Sequence, residues 1–294
     1  MDFSGIWVPL VTPFNQGEVD YPALRALTAH YVDAQVAGIV ALGTTGEAAA
    51  LEQAEQVAVV ETVLEVAGDL PVMVGLAGNH QGHVRARLLE FAQLPIAAFL
   101  TPAPYYIRPS QQGLVQYFQQ LADLSPVPLV LYDIPYRSGV RFELETLLTL
   151  AAHPQIQAIK DCAGSVDTTE ALIADGRLQV LAGEDLNIFN TLCMGGCGAI
   201  AASAHIRPDL FNAMFQAVRQ QRLEAARTIF HALAPFQRLL FAEANPAPVK
   251  AALALQGLIR DELRAPMLAA SPEMSARLRL GLSELESRAR GLAG

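Results

Sequence analysis

Lysine is nearly absent from this chain of 294 residues, in which only Lys160 and Lys250 carry an amine side chain. Lysine is normally one of the commonest residues of globular proteins, and here arginine supplies the rest of the 20 basic side chains. Lys160 lies inside an apolar, strand-like run over residues 156–164. Burial disfavours the charged form of an amine, and a neutral amine is a nucleophile for carbonyl compounds. Lys160 is therefore our first candidate for a catalytic residue.

An excess of positive charge and long apolar runs are also lacking, and each absence excludes a class of protein. The net charge is −9 and the isoelectric point is about 5.1, which argues against binding to nucleic acid or to anionic membrane surfaces. The apolar runs are shorter than the roughly 18 residues that a membrane-spanning helix needs. Residues 1–6 have no basic or long apolar segment. We therefore expect no nucleic-acid partner, no membrane partner and no signal peptide.

Cysteine is scarce, with only Cys162, Cys193 and Cys197 in the chain. An odd, low number of cysteines fits a reducing compartment better than a disulfide framework, so we expect a cytoplasmic location. Cys193 and Cys197 are four residues apart, but no nearby histidine or cysteine completes a set of metal ligands. We expect no metal, and we interpret these two thiols as small buried side chains.

Hydrophobic residues make up 52% of the chain, enough for a large core. Eight short apolar runs alternate with longer helical patterns such as residues 21–36 and 51–66. The runs begin at Ile6, Gly38, Pro71, Ala97, Pro128, Ile156, Leu178 and Gly198. Each interval is long enough for a strand, a loop and a crossover helix. The alternation predicts an α/β fold, a (β/α)8 TIM barrel, with a doubly wound sheet as the alternative.

No strand-like run follows residue 207. The segments 208–220, 221–241, 246–259 and 272–290 are helical in pattern and rich in alanine, leucine, arginine and glutamate. We therefore predict a catalytic barrel over residues 1–220 and a C-terminal helical extension over residues 221–294.

Polar motifs end several of the strand-like runs, which is where a TIM barrel holds its active site. They bring an amine, phenols, hydroxyls and an arginine to one barrel mouth. The motifs are Gly43–Glu47, Tyr105-Tyr106, Tyr132–Arg137, Lys160 and Gly183–Asp185.

Each of these motifs has a chemical and a structural interpretation. The backbone N–H groups of Gly43–Glu47, just before a predicted helix, could bind a carboxylate with help from the helix N-terminus; alternatively the segment is an ordinary turn with threonine caps. Tyr132 could move protons during carbinolamine formation through a relay with Thr44 and Tyr106, or it could be a core aromatic. Arg137 offers a planar fork for a second carboxylate, or it is a surface arginine.

Over essentially its whole length the chain resembles the dihydrodipicolinate synthase family, within the class I pyruvate aldolases that include N-acetylneuraminate lyase. The motifs that carry the resemblance are Gly43–Glu47, Pro104–Pro109, Tyr132–Arg137, Ile159-Lys160, Gly183–Asp185 and Glu243–Lys250.

The resemblance implies a role for each matching residue. Lys160 would form the Schiff base, so that a covalent imine replaces any cofactor. Tyr132 would transfer protons, with Thr44 and with Tyr106 from a neighbouring subunit of a homotetramer. Thr45 and the backbone near Ile200 would hold the pyruvate carboxylate, and Arg137 would bind the carboxylate of the second substrate. Gly183 would also contact substrate.

The resemblance also implies the reaction, which is condensation of pyruvate with L-aspartate 4-semialdehyde to 4-hydroxy-tetrahydrodipicolinate in lysine and diaminopimelate biosynthesis. The chain departs from the commoner family pattern at Asp133, Asp161, Cys162 and residues 93–97. The alternatives are a 2-keto-3-deoxy-sugar acid or N-acetylneuraminate aldolase, a keto-acid dehydratase, or a non-catalytic sensor of a keto acid. Arg137 favours the semialdehyde, since sugar-acid lyases usually lack an arginine there.

A last expectation concerns inhibition by lysine, the end product of the implied pathway. Members that respond to lysine tend to carry a glutamate where this chain has His83, and often histidines at Gln53 or Gln56, whereas Asn79 matches them. An imidazole is a poorer partner than a carboxylate for the ammonium group of an effector. We therefore predict weak or absent inhibition by lysine.

Overall fold

The structure is a computed structural model that describes residues 1–292. Its centre is a closed barrel of eight parallel strands that follow one another in chain order, with the first closing against the last. The barrel strands are β1 (Gly5–Pro9), β4 (Gly38–Ala41), β5 (Val72–Gly75), β6 (Ala98–Pro102), β7 (Leu129–Asp133), β8 (Ile156–Asp161), β9 (Gln179–Ala182) and β10 (Gly198–Ile200). A small hairpin of β2 (Phe14–Asn15) and β3 (Glu18–Val19) lies outside the barrel.

Helices surround the barrel and continue beyond it. They are α1 (Tyr21–Asp33), α2 (Gln53–Ala67), α3 (Gln81–Phe91), α4 (Gln111–Leu124), α5 (Pro135–Ser138), α6 (Leu144–Leu150), α7 (Val166–Asp175), α8 (Ile188–Cys193), α9 (Pro208–Arg219), α10 (Leu223–Leu240), α11 (Ala247–Leu255) and α12 (Pro272–Ala289). Side-chain caps fix several starts, since Asp20, Ser110, Ser165 and Ser271 each accept a hydrogen bond from an N–H of the first turn. Short 3-10 turns cover Ala48–Ala50, Asp185–Asn187 and Ala202–His205.

The predicted fold class is confirmed, and each of the eight apolar runs forms a barrel strand. A doubly wound sheet is excluded because the sheet closes on itself. The predicted helix ends were less accurate than the predicted strands. Helix α1 ends at Asp33 rather than at residue 36, because Gln35 has a left-handed backbone conformation with φ of 54°. The β2–β3 hairpin was missed, because strands of two residues leave no alternating pattern.

Side chains pack in two layers, one inside the barrel and one between the strands and the helices. The inner layer includes Trp7, Met73, Val130 and Leu181. Successive side chains of a strand point to opposite faces. On β7 and β8 this alternation directs Tyr132 and Lys160 into the barrel, whereas the neighbouring Asp133 and Asp161 face the helix layer.

Helices α10–α12 pack against one another, α10 also packs on α9, and α11 contacts the turn Ala202–His205. The four helical segments predicted after residue 207 are thereby confirmed. The boundary at residue 220 between barrel and extension stays a prediction, and the last two residues of the predicted extension lie outside the described part of the chain.

Two expectations about side chains and membranes can be compared with the fold. Cys197 is half-buried and Cys193, at the end of α8, is exposed, so the interpretation of these two thiols as buried side chains was wrong for Cys193. A small thiol favours a core position, but Cys193 lies outside the buried face of the short helix α8. Within residues 1–292, no helix combines the length and apolar character needed to cross a membrane.

Candidate active site

Lys160 lies near the C-terminal end of β8 and points into the barrel mouth. Its side chain is 7% exposed, and no residue among the described 1–292 forms an ion pair or hydrogen bond with its amine. The absence of a side chain at Gly183 leaves room for it, because a Cβ there would lie 2.9 Å from Lys160 Cγ and would also collide with Cys162 Sγ. Lys160 thus has space around it and an amine without a salt bridge or hydrogen bond among the described residues.

Tyr132 is the register partner of Lys160 on β7. The Lys160 Nζ lies 4.5 Å from the centre of the Tyr132 ring. Burial raises the pKa of the Tyr132 hydroxyl well above its ordinary value, and a hydrogen bond with Thr44 acts in the opposite direction. The phenol therefore keeps its proton at neutral pH and can act first as an acid.

The turn Gly43–Glu47 follows β4 at the same mouth. The N–H groups of Gly46 and Glu47 bond within the turn to the carbonyls of Gly43 and Thr44, both at 3.1 Å. The N–H groups of Thr44 and Thr45 have no partner among the residues that the structure describes, so they remain available to an anion.

The expected help from a helix N-terminus is wrong, because a 3-10 turn follows Gly43–Glu47 and α2 begins only at Gln53. The field of a helix terminus falls off within its first turn. The alternative interpretation of threonine caps is also wrong. The N-cap of α2 is Glu52, which forms a reciprocal capping box with Glu55.

Thr45 is held from the C-terminal part of the chain. Its hydroxyl accepts a hydrogen bond of 3.0 Å from Asn245 Nδ2, and Thr12 Oγ1 donates to the carbonyl of Gly46 at 2.7 Å. Asn245 also lines the cavity in front of Lys160. Sequence reasoning gave Asn245 no role, although its motif at residues 243–250 was noticed.

Arg137 lies on α5, directly after β7, and is exposed at the rim of the mouth. The hydroxyl of its neighbour Tyr136 donates a hydrogen bond of 3.0 Å to Glu184 Oε1. An exposed guanidinium with a preorganised fork is suited to a substrate carboxylate. Glu184 was noted only as part of a motif, and its contact with Tyr136 had no signal in the sequence.

Tyr106 is the one predicted site residue that its own chain does not bring to the mouth. Its side chain is 87% exposed, its φ is 72°, and its N–H donates to the carbonyl of Ser138 at 3.3 Å. An aromatic ring presented to solvent on a left-handed backbone position is costly unless something covers it.

Two cavities meet at Thr44, Tyr132 and Arg137. The first, of about 300 Å³, contains Lys160 and is lined by Pro9, Gly43, Thr44, Thr45, Leu100, Tyr132, Tyr136, Arg137, Gly183, Glu184, Asp185, Ile200, Ala202, Phe241, Glu243, Ala244 and Asn245. The second, of about 360 Å³, is mostly apolar and includes Ala48, Tyr105, Ile134, Pro266 and Met267. The predicted residues Thr44, Thr45, Tyr132, Arg137, Lys160, Gly183 and Ile200 therefore share one cavity.

Asp185 forms part of the wall beside Lys160 and was not predicted as a site residue. Its Oδ1 accepts hydrogen bonds from the N–H of Ser203, at 2.7 Å, and from the Ser203 hydroxyl. Burial raises its pKa to about 6, whereas the Ser203 hydrogen bonds and the charge of Lys160 lower it.

Glu47 connects the turn to Lys250. Lys250 Nζ donates to Glu47 Oε1 at 2.5 Å and to the carbonyl of Glu262 at 2.8 Å, and the N–H of Arg264 donates to Glu47 Oε2 at 3.1 Å. Glu47 itself has a φ of 52°. The buried pair therefore holds the turn Gly43–Glu47 against the C-terminal helices.

A closed parallel barrel with a buried amine beside a phenol at the mouth is the arrangement of a class I aldolase-type lyase. The sequence matches the Dihydrodipicolinate synthetase family over residues 2–285. A 4-hydroxy-tetrahydrodipicolinate synthase of Porphyromonas gingivalis is 37% identical over 294 residues, covering 97% of this chain and 98% of the relative. The chain belongs to the Dihydrodipicolinate synthetase family.

Solved structures agree with this relationship. The 4-hydroxy-tetrahydrodipicolinate synthase of Methylacidiphilum fumariolicum superposes with a TM-score of 0.96 at 30% identity, covering 99% of this chain and 98% of that one. The chloride-inhibited dihydrodipicolinate synthase of Acinetobacter baumannii, solved with pyruvate, superposes with a TM-score of 0.94 at 32% identity, covering 96% and 98%.

Proposed function

We propose that this protein condenses pyruvate with L-aspartate 4-semialdehyde to give 4-hydroxy-tetrahydrodipicolinate, in lysine and diaminopimelate biosynthesis. The observation that carries the proposal is Lys160, an amine without a salt bridge within residues 1–292, in one cavity with Tyr132, Thr45 and Arg137. The cavity supplies one amine for a ketone and two separate places for carboxylates. Pyruvate and the semialdehyde together need these groups.

Pyruvate enters with its carboxylate on the N–H groups of Thr44 and Thr45. Lys160 Nζ attacks the ketone carbon to form a carbinolamine, and Tyr132 gives its proton to the departing hydroxyl, which leaves as water. The resulting imine gives a methyl proton to the Tyr132 phenolate and becomes an enamine. The covalent bond to nitrogen is the electron sink, so the proposed reaction needs no cofactor and no metal.

The enamine carbon attacks the aldehyde carbon of the second substrate and forms the new C–C bond, while the aldehyde oxygen takes up a proton. The amino group of the bound semialdehyde then adds to the imine carbon, closes the ring and releases Lys160. One water is lost in the whole reaction. Arg137 holds the carboxylate of the semialdehyde, so that its aldehyde faces the enamine.

Tyr106 completes the proton relay from a neighbouring subunit. Its exposed ring, which does not line the cavity of its own chain, supports this assignment, and the apolar cavity beside Thr44 and Tyr132 offers a place for such a ring. We therefore propose a homotetramer in which paired subunits exchange Tyr106. The protons exchanged at Tyr132 would pass through Thr44 to the partner's phenol.

The experiment is a product analysis with the purified protein. Pyruvate is supplied with L-aspartate 4-semialdehyde, with N-acetylmannosamine or with a sugar-derived aldehyde, and products are identified by mass. We expect product only with the semialdehyde, and none from a Lys160→Met variant. Turnover confined to a sugar aldehyde would overturn the proposal in favour of a sugar-acid aldolase.

A further inference from the structure

Two carboxylates stand side by side where β7 and β8 end. Asp133 and Asp161 are register partners, one residue beyond the register partners Tyr132 and Lys160. The N–H of Cys162 donates to the carbonyl of Asp133 at 2.8 Å, which extends the pairing of the two strands past this point. The carboxylates therefore lie on the outer side of the strand pair that carries the two reacting groups.

The two carboxylates differ in their hydrogen bonds. Asp161 Oδ1 accepts from the N–H of Ala163 at 2.9 Å, and its Oδ2 accepts from the Thr169 hydroxyl. Asp133 is 2% exposed, and its Oδ1 is a buried oxygen without a hydrogen-bond partner among the described residues. Such an orphan acceptor is rare in native proteins and calls for an explanation.

A proton on Asp133 explains the orphan oxygen. Burial, followed by the charge of Asp161, raises the pKa of Asp133 to about 7, while the N–H of Phe142 and the charge of Arg141 lower it. The charged groups acting on Asp133 are thus Asp161 from β8 and Arg141 from the segment between α5 and α6. Neighbouring carboxylates resist ionising together, and Asp133 is the more buried of the two.

We propose that Asp133 is a positioning residue that acts as a neutral, protonated carboxyl group and joins the ends of β7 and β8 through its neighbour Asp161. In this form the Asp133 carboxyl group gains an O–H donor, and the carboxylate of its register partner Asp161 is the acceptor that the inference assigns to it. Ionised Asp133 would instead repel Asp161 across the strand pair. The spacing of Tyr132 and Lys160 then depends on this proton. The effect of this spacing on catalysis rests on the proposed function.

The direct test is infrared spectroscopy on the full-length protein and on Asp133→Asn, in which an amide replaces the neutral acid. Below about pH 6, the wild-type spectrum should contain the carbonyl band of a protonated carboxylic acid that the variant lacks, and the band should fade with a midpoint near pH 7. This readout needs no turnover, so it separates failure of this inference from failure of the proposed reaction. Identical spectra would overturn the inference.

Kinetics on two variants test the positioning role. Asp133→Asn should keep kcat within about two-fold of wild type, whereas Asp133→Leu, similar in shape but unable to donate, should lose about ten-fold or more. The pyruvate KM should change less than kcat, because the carboxylate-binding turn is on another strand. Equal losses in both variants would contradict the role, since rescue by the amide is what a neutral donor predicts.

Stability gives a third readout with a defined sign. Between about pH 4 and pH 7 the unfolded chain releases the Asp133 proton while the folded chain keeps it, so wild-type stability falls as pH rises through this window. Asp133→Asn does not titrate, so its thermal midpoint should exceed that of wild type increasingly up to about pH 7, with a constant gap above. A gap that is independent of pH would contradict a protonated Asp133.

Discussion

The amine of Lys160 faces a cavity, whereas the amine of Lys250 faces a carboxylate. Lys250 is 0% exposed, donates to Glu47 and to the carbonyl of Glu262, and lies 4.2 Å from the centre of the Phe14 ring. Lys160 is almost as buried, but a phenol ring is its close polar neighbour and substrate-sized space lies in front of it. We therefore infer that Lys250 serves structure, because its hydrogen-bond partners are complete, and that Lys160 serves the proposed chemistry, because its amine has none in the described part of the chain.

The two surroundings also differ in what they cost the folded protein. Burial lowers the pKa of Lys250, while Glu47 raises it, so the effect of the carboxylate opposes the effect of burial. Removing one member of a buried ion pair leaves the other charge without a partner in an apolar region. Removal of the Lys160 amine breaks no such pair among the residues that the structure describes, and the neighbouring Asp185 carboxylate keeps its hydrogen bonds from Ser203.

The largest effect is expected from Lys250→Met. This change isolates the Glu47 carboxylate and should lower the free energy of unfolding by about 3–5 kcal/mol, measured by denaturant titration at a fixed protein concentration. Lys160→Met is the matched variant and should abolish turnover while leaving stability unchanged or higher.

The double variant Glu47→Gln with Lys250→Met is the control for the buried charge. It should recover much of the lost stability, since neither partner then carries an unpaired charge. If Lys250→Met unfolds with wild-type energetics, or if Lys160→Met is the less stable of the two, the comparison between the lysines does not hold.

A smaller effect is expected at the rim. Arg137→Ala should reduce kcat/KM for L-aspartate 4-semialdehyde by roughly 10- to 100-fold, because a charge-assisted contact to a carboxylate is worth about 1.5–3 kcal/mol. Imine formation with pyruvate should be nearly unaffected, since in the proposed reaction the N–H groups of Thr44 and Thr45 bind that carboxylate. Steady-state kinetics with the semialdehyde that match wild type would make Arg137 a surface residue.

The smallest effect is expected from L-lysine. His83 lies in the first turn of α3 with its ring 4.1 Å from that of His80, so no carboxylate stands at this position. We expect no half-inhibition below about 1 mM, which corresponds to about −4.1 kcal/mol of binding. His83→Glu should strengthen inhibition by supplying the missing charge. Sub-millimolar inhibition of the wild type would disprove this interpretation of His83.

The barrel and most of its mouth could be predicted from the sequence because they depend on periodicity and on strand ends. Eight apolar runs give eight parallel strands, and the residue that follows such a run reaches the mouth whatever the details of packing. Lys160 and Tyr132, near the ends of their strands, and Thr45, just after its strand, line one cavity at the mouth as expected, whereas their roles stay a prediction.

Contacts between distant segments left no such pattern. The Asn245–Thr45 hydrogen bond joins residues 200 positions apart, and the Glu47–Lys250 pair joins residues 203 positions apart. A single sequence does not show which distant residues contact each other in space, so the partner of Lys250 could not be identified. The 3-10 turn Ala48–Ala50 was missed because three alanines also fit the start of an α-helix.

The most direct test of the central claim is trapping with pyruvate and borohydride, followed by peptide mapping. Two lysines make the map simple, since each falls in a different peptide. We predict one reduced pyruvate adduct per chain, on Lys160, and none on Lys250 or in the Lys160→Met variant. An adduct on Lys250, or a protein that turns over without being labelled, would contradict it.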